Sequence, residues 1–241
     1  MSIPTTLCIF SSEVSQTSIR YDFGAMFRDL AERDEADAVI VSTEEGFSPL
    51  GASREFFERD LRIPYDAEIR QLARWNQDEN EKVSIIALKS KNAQGLLRGV
   101  LLTPGDNCLS YATFDSTSKA YSPKPHRDYY YNVSYEAIAF LCQEWGARKI
   151  AISHLSASGR FHEDIATCHV EALMHFCNEH PDLAPESFTF CGCCIEPNQL
   201  AGAQRLVEAN EIAPHRQIRT SARIQGPAKI ITLDWSANQS N

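Results

Sequence analysis

The densest group of titratable side chains runs from His154 to His180 and takes in His162, Glu163, Asp164, His169 and His175. Neutral imidazoles bind zinc, and the same rings serve as general bases near neutral pH. His162 and His169 stand seven residues apart, so a helix places both on one face. His154 closes the apolar run that precedes that helix. His154, His162 and His169 are therefore a candidate metal set, and His154 alone a candidate base. The spacing is not that of an H-E-x-x-H helix, so the primary expectation is no metal and no cofactor. His169 also shares a stripe with Ile165, Ala172 and Phe176, where a histidine usually serves as a hydrogen-bonded core residue.

Two short stretches of small and polar residues offer other chemistry. In Ser42-Thr43-Glu44-Glu45-Gly46, the carboxylates of Glu44 and Glu45 are candidate general bases. In Ser156-Ala157-Ser158-Gly159-Arg160-Phe161, a small-residue loop runs into a helix. Its backbone N–H groups and the helix dipole suit an anion. Arg160 adds charge pairing, and Phe161 an aromatic surface. Cys191-Gly192-Cys193-Cys194 has soft-metal and redox ligands but lacks the second cluster such sites need. It sits in the strand-like run Phe188–Ile195, so buried structural thiols are expected.

The elements that would position these residues follow from periodicity. Residues 5–11 read as a first strand and 23–33 as an amphipathic helix through Phe23, Met26, Phe27 and Leu30. Ala38-Val39-Ile40-Val41 is a continuous apolar run rich in β-branched residues and reads as a strand buried on both faces. Residues 51–75 read as a helix broken at Pro64, and 83–88 and 96–103 as strands. A turn at Pro104-Gly105-Asp106-Asn107 would pair 96–103 with a strand at 108–114. Residues 115–128 read as a long surface loop. Then come a helix at 132–146 ending at Gly146, a strand at 149–153 and a helix at 162–179. A strand at 187–195, a helix at 197–209 and a strand at 229–233 complete the order. This alternation predicts one α/β domain over 1–241, a mixed sheet sandwiched between helices. Ligands of such sheets collect beyond the carboxyl ends of the strands, where 42–51 and 154–161 fall.

The 241 residues carry 23 Lys and Arg against 32 Asp and Glu, a net charge of −9. That balance repels a phosphate backbone and argues against general nucleic-acid binding. No apolar run approaches the roughly 18 residues that span a bilayer. The N-terminus lacks a basic signal-peptide start, and cysteines within apolar runs (Cys8, Cys108, Cys142, Cys168, Cys177) fit reduced, buried thiols. A cytoplasmic location and no membrane partner are expected. Residues 29–45 are acidic apart from Arg33, whereas 212–233 carry Arg216, Arg219, Arg223 and Lys229. Opposite charges at two places are suited to steering self-association, so a homo-oligomer is a further expectation.

The stretch from Gly146 through Ser153 to Ser158-Gly159-Arg160-Phe161 resembles the macro-domain segment of helix, strand, Gly-containing loop ending in Gly-x-Phe, and helix. Glu35-Ala36-Asp37-Ala38-Val39-Ile40-Val41 resembles the strand leading into that family's first binding loop. The likeness spans residues 35–195 in element order. It implies a macro-like fold with an extra C-terminal helix and strand. It also implies a small-molecule ligand such as ADP-ribose or a related nucleotide. Ser42, Thr43 and Gly46 would then belong to the first loop. Ser156, Ala157, Ser158, Gly159, Arg160 and Phe161 would form the diphosphate-and-ribose loop. That family carries asparagines and a glycine run in its first loop, where this chain has two carboxylates. A nucleotide- or phosphometabolite-binding domain, with or without hydrolase activity, is the leading expectation. A metal-assisted hydrolase and a non-catalytic scaffold are the alternatives.

Overall fold

The computed structural model describes residues 4–11, 14–23, 25, 27–42, 83–89, 98–102, 113–115, 120–122, 124–153, 162–192, 200–212 and 229–234. The first strands are β1 (Thr5–Ser11), β2 (Gln16–Phe23), β3 (Ala38–Ser42), β4 (Val83–Lys89) and β5 (Arg98–Leu102). They continue with β6 (Thr113–Asp115), β7 (Ala120–Ser122), β8 (Lys149–Ser153), β9 (Ser187–Gly192) and β10 (Lys229–Asp234). The helices are α1 (Phe27–Glu32), α2 (Lys124–Trp145), α3 (His162–Glu179) and α4 (Ala201–Ile212).

Eight strands form one mixed sheet in the order β1-β2-β9-β8-β3-β5-β4-β10. The run β2-β9-β8-β3-β5 is parallel throughout. β1 joins β2 antiparallel, and β4 joins β5 antiparallel. β10 then pairs parallel to β4. The central strands are apolar on both faces, as crossover helices require. Val39, Ile40, Val41, Ile150, Ala151 and Ile152 are all fully buried. Ala38, Ile40, Ile150, Ile152, Phe188 and Phe190 share one cluster with residues of α2, α3 and α4. Their neighbours Val39, Val41, Ala151 and Cys191 alternate to the opposite face, as the two-residue period of a strand dictates. The architecture is a mixed sheet between helices, as the alternation predicts.

Several elements differ from their sequence expectations. The expected helix at 23–33 is shorter: Phe23 ends β2, and α1 begins at Phe27. β2 was hidden because the helical spacing of Phe23, Met26, Phe27 and Leu30 masks the two-residue alternation of Thr17, Ile19 and Tyr21. The expected hairpin between 96–103 and 108–114 is replaced by two pairings. β5 pairs with β4 in the main sheet, and β6 pairs with β7 in a separate ribbon. Residues 115–128 therefore include a strand and the start of a helix rather than one long loop. α2 starts at Lys124, eight residues before its expected start, because Pro125 falls in the first turn, where a missing N–H costs nothing. α4 spans Ala201–Ile212 rather than 197–209. β9 ends at Gly192, and 193–195 lie outside the described residues, as do 51–75 and 104–112. At the end of α2, Gly146 has φ +62 with open space where a Cβ would stand, as suits a glycine that closes a helix.

Candidate functional site

The parallel strands β2, β9, β8, β3 and β5 all end on the same side of the sheet, at Phe23, Gly192, Ser153, Ser42 and Leu102. β3 and β8 are immediate neighbours, paired Ala38 to Ile150, Val39 to Ala151 and Ile40 to Ile152. The two chain segments singled out by sequence thus leave the sheet side by side, after Ser42 and after Ser153. α3 begins at His162, after the second segment.

The register that brings these ends together is fixed at the opposite, amino-terminal side. Asp37 Oδ2 accepts from the Arg148 N–H at 2.9 Å, and its Oδ1 accepts from the Lys149 N–H at 3.0 Å. The Asp37 N–H in turn donates to the Lys149 carbonyl at 2.9 Å. One carboxylate thereby satisfies two backbone donors at the start of β8 and ties them to the start of β3. Lys149 Nζ donates to the Asp34 carbonyl and to its Oδ2, both at 2.8 Å. That hydrogen bond raises the Lys149 pKa. Asp34 itself adopts φ 56, a left-handed turn residue between α1 and β3.

Near the carboxyl end of β2, Asp22 is buried and meets Arg33, whose Nη2 lies 2.5 Å from Oδ2. Arg33 Nε also lies 2.7 Å from Glu35. Burial pulls the Arg33 pKa down, but the hydrogen bond to Asp22 and the charge of Glu35 outweigh it, and the net direction is up. Beside Asp22 in the ladder is Cys191. Its thiol lies 3.6 Å from the Ile152 carbonyl oxygen. Burial, then the charges of Asp22 and Asp29, push the Cys191 pKa up. It is a protonated core thiol, not a nucleophile. Cys142, Cys168 and Cys177 are likewise buried thiols in no disulfide, while Cys8 is half-buried.

The described histidine side chains, His169, His175 and His180, each meet different partners. His169 is fully buried between α2 and the sheet, its ring 6.3 Å from that of Phe190. Ser134 Oγ donates to the Tyr130 carbonyl, and His169 Nδ1 lies 2.5 Å from the same hydroxyl oxygen. The single hydroxyl proton is thereby used, so Nδ1–H of His169 is the donor to Oγ. His175 instead meets the Tyr131 hydroxyl through Nδ1 and Glu179 Oε1 through Nε2, the latter at 3.2 Å. Tyr135 donates to the other oxygen of Glu179. His180 packs its ring against Phe176. No group of three or more His, Cys, Asp and Glu suited to a metal occurs among the described residues.

Of the sequence-predicted site residues, Ser42 closes β3, His162 opens α3 and His169 lies in its core face. Thr43, Glu44, Glu45, Gly46, His154 and Ser156 to Phe161 lie outside the described residues, as do Cys193 and Cys194. Asp22 and Arg33 were missed by sequence reading. The alternation of Thr17, Ile19 and Tyr21 was the available signal, because it places Asp22 on the second face of a strand. Among the described residues no helix is long and apolar enough to cross a membrane.

Comparison with known proteins finds no matching protein-family profile and no curated protein of similar sequence. Solved structures do match. The Oceanobacillus iheyensis macrodomain with MES bound aligns over 88% of this chain and 98% of that chain, at 8% identity and a TM-score of 0.50. A point mutant of the same macrodomain aligns over 88% and 95%, at 9% identity and a TM-score of 0.53. The macro domain of ganglioside induced differentiation associated protein 2 aligns over 78% and 83%, at 13% identity and a TM-score of 0.50. At such identities the likeness is one of fold, and the fold of this chain is that of a macro domain.

Proposed function

We propose that this chain binds an ADP-ribose-like nucleotide or a related phosphorylated metabolite at the carboxyl ends of β3 and β8. The observation that carries the reading is the in-register parallel pairing of these strands, which starts the 43–51 and 154–161 segments from adjacent points. Between parallel strands capped by helices, that is where ligands of α/β sheets collect. The macro-domain fold supports the same place.

The roles divide by charge. The backbone of Ser156 to Gly159, ahead of an 18-residue helix, supplies N–H donors and a positive dipole end for phosphate oxygens. Arg160 pairs with the phosphate charge, and Phe161 packs on the ribose or base. Glu44 and Glu45 would repel phosphate, so they suit the hydroxyl donors of a ribose, with Ser42, Thr43 and Gly46 alongside. Where binding leads to hydrolysis, Glu44, Glu45 or His154 supplies the base.

Thermal-shift titration of the purified chain with ADP-ribose, NAD, nucleotides, sugar phosphates and divalent metals tests this. A ligand at 100 times its Kd adds about 2.7 kcal/mol of stability. For a chain of this size that is a rise of roughly 5–10 °C. The expected result is a rise with a nucleotide that disappears in Gly159→Glu. A rise with zinc alone would favour the histidine set, and no rise with any compound would overturn the reading in favour of a scaffold.

A further inference from the structure

β1 ends the strand order of the eight-stranded sheet. The outer side of such a strand presents backbone donors and acceptors to any further strand, and soluble proteins usually guard it with charge, proline or a bulge. From Thr5 to Ser11 there is neither a charged residue nor a proline. The register shift between Thr6 and Cys8 places a bulge at Leu7 and leaves Cys8 to Ser11 as a regular stretch. The opposite rim, β10, begins with Lys229 and ends with Asp234. Three large apolar side chains stand exposed among the described residues. Ile9, 46% exposed, lies on β1, and Val14, 67% exposed, lies in the connection from β1 to β2. Phe10, the neighbour of Ile9, is buried in the cluster that includes residues of α4, so Ile9 faces the other way.

We propose that this rim joins two copies of the chain, β1 running antiparallel to β1 about a two-fold axis through Ile9. An axis perpendicular to the sheet preserves its faces, so residues meet partners of their own parity. Ile9 then lies against Ile9 of the second copy and Cys8 against Phe10, within the regular stretch that follows the bulge. The exposed isoleucine finds an apolar partner, and no charge is brought against a like charge. A second copy fits better than a charged extended peptide because the rim offers nothing to pair with a charge. The net charge of −9 on each copy opposes the encounter at long range, so added salt strengthens this dimer, opposite to an interface held by ion pairs.

Sedimentation equilibrium on the full chain tests it, with the variants Ile9→Lys and Ile9→Glu run singly and as an equal mixture. Ile9 is half exposed, and circular dichroism serves as the check that each variant keeps the fold. The wild type is expected to pass from monomer to dimer between about 1 and 500 µM, and to do so at lower concentration in about 0.5 M salt. Each variant sets like charges opposite one another across the axis and is expected to stay monomeric at least tenfold higher in concentration. The mixture sets Lys against Glu and is expected to recover the dimer. A wild type that stays monomeric throughout overturns the proposal. So does a lysine variant that dimerises as the wild type does, or a mixture that fails to recover.

Discussion

The two faces of the central sheet bury the same strands in different chemistry. Ile19, Ile40, Ile152, Phe188 and Phe190 share a cluster with α2, α3 and α4 that is mostly aliphatic, aromatic and thiol; the uncharged polar groups inside it are paired, Ser134 with His169 and Thr17 with Cys177. On the other face, Val39, Val41 and Ala151 are joined by Thr189, Cys191 and the Asp22 carboxylate. A buried charge costs free energy unless paired, and Arg33 supplies the pairing from the turn after α1. The first face is built for cohesion. The second gives up stability to a polar arrangement near the strand ends. The fold therefore separates what holds the sheet from a polar arrangement near the carboxyl ends of its strands.

The first face should fail by loss of packing. Phe176 is fully buried on α3, and Phe176→Ala should cost about 3–5 kcal/mol in chemical denaturation. The second face should fail by loss of charge pairing. Arg33→Ala should cost about 3 kcal/mol because it strips the ion-pair partner from a carboxylate only 1% exposed. Asp22→Ala should cost less, since Arg33 is 21% exposed and can turn to water. Equal losses in these two variants would erase the distinction between a buried anion and a partly exposed cation.

A pH titration sharpens the first face further. Burial pushes the Cys142 thiol up to about 12 and the Cys177 thiol up to about 11. In the unfolded chain such thiols ionise near pH ~8.5. Above that pH the unfolded state holds fewer protons than the folded one, so stability falls as pH rises. The expected slope is about 1.4 kcal/mol per pH unit for each thiol, ending near pH 11 for Cys177 and near pH 12 for Cys142. Urea melts from about pH 8 to about pH 11 should show this slope, reduced in Cys177→Ala.

Smaller effects separate the faces as well. Among the described residues the buried Thr189 hydroxyl has no hydrogen-bond partner, so Thr189→Val should raise stability by about 1 kcal/mol. A loss instead would mean that the second face depends on that hydroxyl. Smallest is the pair of left-handed residues. Gly146→Ala should cost about 1 kcal/mol through its positive φ alone, since the space around it is open. Asp34→Gly relieves similar strain but gives up an ion pair to Lys149 whose acid is 77% exposed. The two terms should nearly cancel, leaving a melting temperature close to wild type.

Much of the fold was legible because its strongest signals are local. Ala38-Val39-Ile40-Val41 and Lys149-Ile150-Ala151-Ile152-Ser153 are runs that suit a doubly covered strand, and both are strands of the parallel core. The helix over 162–179 matches α3 at both ends. Gly146 marked the end of α2 through its left-handed backbone. β2 was missed because eight residues of mixed polarity carry a weak period, and the stronger helical spacing that follows overran it. The misassigned hairpin had a related origin: a turn signal after Leu102 says that the chain reverses, not which strand it then joins. Composition singles out two candidate segments that lie beyond the described ends of β3 and β8, but it gives no sign of the pair formed by Asp22 and Arg33. A helix separates them in the chain, and no local pattern links them.

The sequence by itself determined the alternation of strands and helices, the burial of β3 and β8 on both faces and the helical stripe of α3. Each follows from periodicity and side-chain size within a few residues. Tertiary structure alone decided the strand order, and with it the adjacency of the ends of β3 and β8. It also decided that β1 would be left on the rim, that Asp37 would hold the start of β8, and that Asp22 would be buried against Arg33. Those outcomes rest on hydrogen bonds and charges between residues far apart in the chain, whose energies exist only once the sheet has closed.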